Sequence, residues 1–132
     1  MDDQTWDTLR EAASDARDHA YAPYSNFQVG AAVRTKSGNV FVGCNVENAS
    51  YGATICAERA AVLAAVAGGE RDLTALVLVT GASEPTPPCG LCRQFLHEHA
   101  PTLAIRSYAA NGYADYWLDE LMPEPFGAGK LS

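Results

Sequence analysis

Apolar residues at the start of the chain recur at helical spacing. Trp6, Leu9, Ala13, Ala16 and Ala20 share one face, which predicts an amphipathic helix from roughly Asp3 to Ala20. Pro23 lies beyond its end. Phe27 to Thr35 then reads as a strand interrupted by Gly30, Lys36-Ser37-Gly38-Asn39 as a turn, and Val40 to Val46 as the returning strand of a hairpin. Glu47 to Thr54 is polar and predicts a loop. Ile55 to Ala67 has an alanine-rich face bearing valine and leucine, which predicts a buried helix stopped by Gly68-Gly69. Ala75 to Val79 is a continuous apolar run, as expected of a strand covered on both faces.

The second half continues the alternation. Gly81 to Pro88 is a loop with three prolines, and a helix from about Gly90 to His99 ends before Pro101. Leu103 to Ala109 predicts a strand. Asn111-Gly112 joins it to Tyr113-Ala114-Asp115-Tyr116-Trp117 as a tight hairpin, so the last two strands are antiparallel neighbours with no crossover helix. Leu118 to Leu121 predicts one helical turn, and the proline-containing tail from Met122 to Gly127 an irregular segment. The pattern predicts a single domain over residues 1–132 of the α/β class. It is a three-layer α-β-α sandwich around a mixed five-stranded sheet.

Composition narrows the partners. The 132 residues are 48% hydrophobic and 19% charged, an ordinary globular mix, with a net charge of −7 and a pI near 4.7. Lys36 and Lys130 are the only lysines and the arginines are scattered, which argues against a nucleic-acid polymer as partner. The longest strongly apolar run, Ala60 to Ala67, is far too short to span a membrane. Met1-Asp2-Asp3-Gln4 lacks the basic start and apolar stretch of a signal peptide. A cytoplasmic location is therefore expected, where cysteines stay reduced and metal binding is favoured over disulfides.

The candidate chemistry lies in Pro88-Cys89-Gly90-Leu91-Cys92-Arg93-Gln94 together with Cys56-Ala57-Glu58-Arg59. Cysteines three positions apart at a helix start bring two sulfurs within one turn. Cys56, at another helix start, offers a third. Unpaired N–H groups and the positive helix end favour thiolate at both places. Three ligands and one open position make a catalytic zinc site, and Glu58 stands where a carboxylate can carry protons beside it. The spacing alone also admits a closed structural zinc site with Cys44 as fourth ligand, or a redox pair. Asn45 and Glu47 are two apart on an extended stretch and point to one side, as substrate contacts or as a polar strand end capping a loop. His19, His97 and His99 lack ligand partners at suitable spacing and read as solvated helix residues. Cys44 reads as a small buried apolar residue.

These motifs resemble the zinc signature of cytidine deaminases, in which a Cys-x-Glu element is joined to Pro-Cys-x-x-Cys. The similarity extends to Pro23 through Ala32, to Gly43 through Tyr51 and to Leu121 through Gly127, and it points to the small, homotetrameric, three-cysteine branch acting on free nucleosides. The resemblance implies a cytidine deaminase-like fold and Zn²⁺ held by Cys56, Cys89 and Cys92. It implies that Glu58 shuttles protons while water adds at C4 of the pyrimidine, and that Arg59 hydrogen-bonds to the cysteine ligands. It further implies that Phe27 lines the base pocket, that the Ala57 backbone contacts the base and that Asn45 and Glu47 hold the ribose. The resemblance also implies that Ala49 and Tyr51 reach a neighbouring subunit's ribose, and that Phe126 covers the pyrimidine from another subunit. The expected reaction is hydrolysis of cytidine and 2′-deoxycytidine to uridine and 2′-deoxyuridine with release of ammonia, in pyrimidine salvage. A zinc deaminase of a modified cytidine or nucleoside antibiotic is the alternative, with a non-catalytic structural-zinc module behind it.

Overall fold

The computed structural model describes residues 1–131, so Ser132 of the expected 1–132 unit lies outside the described residues. Five strands form one sheet: β1 (Val29–Thr35), β2 (Val40–Cys44), β3 (Leu73–Thr80), β4 (Ala104–Ala109) and β5 (Gly112–Trp117), in the order β2-β1-β3-β4-β5. β1 is antiparallel to β2 and β3, β4 is parallel to β3, and β5 is antiparallel to β4. The sheet is mixed and its last pair antiparallel, as the hydrophobic pattern predicts. A parallel pair needs a crossover, and α3 (Gly90–His99) supplies it between β3 and β4. No helix among the described residues is long and apolar enough to cross a membrane.

Helices cover both faces of the sheet. α1 (Asp3–Arg17) lies on one face, where Trp6, Leu9 and Ala13 pack with Ala32, Ala75 and Val77. α2 (Ala57–Ala67) and α3 lie on the other, with Ala61, Val62 and Leu96 in one core with Ala31, Val33, Leu76 and Leu78. The alternation within β1 and β3 divides these residues between the two cores. Asp2 caps α1 by accepting the Thr5 N–H at 2.9 Å. Two glycines let the helices sit close. A Cβ on Gly30 would lie 1.9 Å from the Ala13 carbonyl of α1, and one on Gly43 2.4 Å from the Ala61 nitrogen of α2. Beyond α2, Glu70 accepts hydrogen bonds from Thr35, Ser37 and Asn39, which ties the β1–β2 turn to the end of that helix.

Several element ends differ from those expected, for local reasons. α1 stops at Arg17 rather than Ala20, and the Arg17 guanidinium donates to the Gln28 carbonyl at 2.9 Å. β1 begins at Val29 rather than Phe27 because side chains occupy the backbone before it. Asn45 donates to the Phe27 carbonyl at 2.8 Å, and the Phe27 N–H donates to the Ser25 hydroxyl at 3.0 Å. β2 ends at Cys44, after which Val46 bridges Tyr21 and Ile55. Ile55 is thus spent on that bridge, and α2 starts at Ala57. β3 is longer than expected, and β4 starts at Ala104 rather than Leu103. α4 (Leu118–Leu121) is the expected single turn, and Met122 to Gly127 is irregular before a 3₁₀ turn at Ala128–Leu131.

Candidate active site

The three sulfurs meet where two helices begin. Cys56 is the N-cap of α2 and Cys89 the N-cap of α3, both with extended backbone, and neither side chain is used as a cap. Residues with a side-chain oxygen are favoured at this position because they satisfy the first N–H groups. A cysteine there leaves those groups uncapped and its own sulfur free. Cys92, in the first turn of α3, is fully buried. The sulfurs of Cys56, Cys89 and Cys92 all lie within 4.8 Å of one another. Cys44 is not in this group. Its neighbour Gly43 faces α2, so Cys44 points to the opposite side of the sheet.

The sulfurs differ in how readily they ionise. Contact with Cys92 draws the Cys56 thiol down to about 5, and the Arg59 guanidinium beside it acts in the same direction. The same contact, with burial, pushes the Cys92 thiol up. Arg59 donates from Nη2 to the Thr54 carbonyl at 2.9 Å and approaches the Cys56 sulfur at 3.8 Å. Its Nε is buried and has no hydrogen-bond partner among the described residues. A compact trio of sulfurs, set at two helix N-termini and backed by a guanidinium, fits Zn²⁺ in donor type and number.

Glu58 lies beside this trio and is 7% exposed. Burial raises its carboxyl above the ordinary range, and the charge on Cys56 adds to the effect. The carboxyl can therefore hold a proton more readily than a solvated glutamate. Glu58 shares a cleft of about 290 Å³ with Cys56, Ala57 and Cys89. Phe27, Val29 and Leu78 make its apolar wall, Asn45 also lines it, and among the described residues no lysine, arginine or histidine does. Asn45 is anchored at both ends of its amide to the start of β1 and the residue pair before it. It donates to the Phe27 carbonyl and accepts the Val29 N–H at 2.9 Å, which leaves one N–H and one lone pair for other contacts.

Other expected residues lie elsewhere. Glu47 lines a neighbouring concavity with Tyr24, Ser25 and Tyr51, and Thr54 borders both spaces. Asn45 and Glu47 therefore line adjacent spaces rather than one. The Glu47 carboxylate accepts from the Ser25 hydroxyl and from the Tyr24 and Ser25 N–H groups, and the Ser25 hydroxyl contributes most to holding its pKa below the usual range. Ala49, Tyr51 (79% exposed) and Phe126 (56% exposed) lie on the surface, with Ala49 and Phe126 outside both concavities. Of the histidines, His97 and His99 are half-buried and so less solvated than expected, with His99 against Phe95, whereas His19 is exposed as expected but lies past the end of α1. Sequence reading missed the cleft threonines Thr54, Thr80 and Thr86, because hydroxyls in loops and strand ends carry no periodic signal. It also assigned no task to Arg93 and Gln94, whose partners lie 28 and 32 residues away at Leu121 and Phe126.

Comparison with known proteins agrees with this geometry. A family model for the cytidine and deoxycytidylate deaminase zinc-binding region matches residues 4–107. A cytidine deaminase of Halalkalibacterium halodurans is 46% identical over 127 residues, covering 94% of this chain and 96% of the relative. One from Mycobacterium tuberculosis is 43% identical over 131 residues, covering 99% and 96%. The crystal structure of cytidine deaminase from Burkholderia pseudomallei superposes with a TM-score of 0.88 at 45% identity, over 96% of this chain and 100% of that one. The match spans both cysteine motifs and the whole sheet, and on that basis the chain belongs to the cytidine and deoxycytidylate deaminase family, as a hydrolytic deaminase.

Proposed function

We propose that the chain is a zinc-dependent hydrolase that converts cytidine and 2′-deoxycytidine to uridine and 2′-deoxyuridine with release of ammonia, serving pyrimidine salvage in the cytoplasm. The observation that carries this reading is the buried Glu58 beside three clustered sulfurs, at a cleft that no cationic side chain lines among the described residues. A nucleotide would bring a phosphate dianion. Among the described residues the cleft offers it no cation, and Glu47 in the adjoining space would repel it. A neutral nucleoside meets neither obstacle.

Cys56, Cys89 and Cys92 would hold the zinc. When bound, the ion supplies a Lewis acid that makes water nucleophilic at neutral pH. Glu58 accepts a proton from the attacking water at its carboxylate and passes it to ring N3. It then takes the proton of the hydroxyl added at C4 and delivers it to the amine, which departs as ammonia while the C4 carbonyl forms. Its burial suits a group that must change protonation within one turnover. Arg59 withdraws charge from Cys56, offsetting the excess that three thiolates place on the site. Phe27 and the Ala57 backbone border the base. Asn45, held by β1, and Glu47 face the ribose. In a homotetramer, Ala49 and Tyr51 of one copy and Phe126 of another complete the site, where an aromatic ring over the pyrimidine excludes water. The surface exposure of Tyr51 and Phe126 supports that part of the reading.

The direct test is incubation of purified, zinc-loaded protein with cytidine, 2′-deoxycytidine and the corresponding monophosphates. Equal release of ammonia and uridine or deoxyuridine from the nucleosides, with little from the monophosphates, is expected. Faster turnover of a monophosphate would reverse the substrate class.

A further inference from the structure

Two consecutive residues of α3 hold the C-terminal segment against the helix that carries Cys92. Arg93 donates from Nε to the Pro88 carbonyl at 2.7 Å and from Nη1 to the Leu121 carbonyl at 3.2 Å. Gln94 donates from Nε2 to the Phe126 carbonyl at 2.6 Å and accepts the Phe126 N–H at Oε1, at 3.0 Å. Both polar ends of the Gln94 side chain are thus committed to one residue. This is the exchange a strand makes with its neighbour, made here by an amide side chain. Phe126 needs it because Met122 to Gly127 has no regular structure, and so no ladder to fix its backbone. Yet the Phe126 ring remains 56% exposed. The backbone is held in register while the apolar side chain points away from its own core. An amide that served only to solvate the helix surface would not have both ends satisfied by a single remote residue.

We propose that Gln94 is a positioning residue for the deamination reaction, fixing the Phe126 backbone so that its ring is presented to the substrate in a neighbouring copy. Arg93 ties the same segment to the Pro88–Cys89 turn, so tail and ligand turn share one anchor. The inference rests on the reading of Phe126 given under Proposed function. Gln94 never touches substrate. Its effect passes through the placement of the ring, and so falls on substrate binding rather than on the proton transfers of Glu58.

The test is a double-mutant cycle. Gln94→Met keeps the length of the side chain and removes both hydrogen bonds. Two such bonds lost should raise KM for cytidine on the order of tenfold, with kcat within about twofold and zinc content unchanged. Gln94→Glu keeps the acceptor for the Phe126 N–H but sets a carboxylate oxygen against the Phe126 carbonyl, so a KM at least as high as that of Gln94→Met is expected. In a Phe126→Ala background, Gln94→Met should change KM no further. A Gln94→Met enzyme with wild-type KM, with lost zinc, or with the same penalty in both backgrounds would overturn the inference and leave Gln94 a structural residue of α3. If Phe126→Ala alone leaves KM unchanged, the shared-site reading itself fails. A raised KM there combined with an additive Gln94 effect defeats the positioning role alone.

Discussion

Replacing Gly43 by alanine should separate the two halves of the site. A Cβ at this position would lie 2.4 Å from the Ala61 nitrogen and 2.7 Å from both the Ala57 carbonyl oxygen and the Ala60 Cβ. Ordinary contact begins near 3.4 Å, so α2 must rise by about 1 Å, the difference between 3.4 and 2.4 Å. Two of the three obstructing atoms are backbone, and no rotamer change relieves them. α2 carries Glu58 and is capped by Cys56, whereas Cys89 and Cys92 belong to α3. The added methyl therefore shifts one ligand and the proton carrier against the other two ligands. Overpacking of this kind costs about 1–3 kcal/mol in stability, and a misplacement of about 1 Å costs about 10²-fold in rate. We expect Gly43→Ala to unfold at lower temperature, to bind zinc more weakly and to lose about 10²-fold in kcat/KM even with excess zinc. Thermal unfolding, metal analysis and ammonia release read the three effects. Gly30→Ala is the comparison, because its Cβ would press on α1 at the Ala13 carbonyl on the opposite face. Its folded fraction should keep normal zinc content and turnover. A Gly43→Ala protein with wild-type stability and activity would refute the reasoning.

Other outcomes follow from the same contacts. Glu58→Gln keeps the shape of a buried side chain and removes the proton carrier, so turnover should fall by about 10⁴-fold or more with zinc retained; near-normal single-turnover rates would remove Glu58 from the mechanism. Glu47→Ala should lower kcat/KM for cytidine by roughly tenfold to a hundredfold, the worth of a hydrogen bond to a charged group, and equal losses for cytidine and a 3′-deoxy analogue would undo the ribose assignment. The carboxyl of Glu70 is held below its usual pKa by hydrogen bonds from Ser37, Thr35 and Asn39. A depressed carboxylate contributes stability above its unfolded pKa and loses it as pH falls through the folded one. The stability advantage of the native chain over Glu70→Gln should therefore be present at pH 7 and shrink below about pH 4, which urea unfolding across that range would read; a constant difference would disprove the linkage.

The parts of the fold legible in the sequence are those fixed by short-range pattern. The period of α1, the apolar run of β3 and the Asn111-Gly112 turn each follow from a few adjacent residues, and together they prescribe the sheet and its final hairpin. The two cysteine stretches were legible for the same reason, since each lies within one helix start. Element ends were less so, because side chains from elsewhere compete for the backbone. Arg17 and Asn45 take the carbonyls of Gln28 and Phe27, and β1 begins two residues late. The shape of the cleft was not legible at all. Thr86 reaches it through the proline loop after β3, and Val29 and Leu78 reach it from strands whose pattern says only that they are buried. Tyr51 meets only the edge of Tyr24 and stays largely exposed, as does Phe126, so pattern alone gives no sign of what their open faces meet. Gln94 was invisible because its partner stands 32 residues away in a segment without periodicity.

Zinc K-edge X-ray absorption on the purified protein, with metal stoichiometry measured on the same sample, tests the central claim most directly. The arrangement of Cys56, Cys89 and Cys92 predicts one zinc per chain with three sulfur neighbours at about 2.3 Å and one light-atom neighbour. Four sulfur neighbours, which would require Cys44 to cross from the other side of the sheet, would make the site a closed structural one and contradict the account.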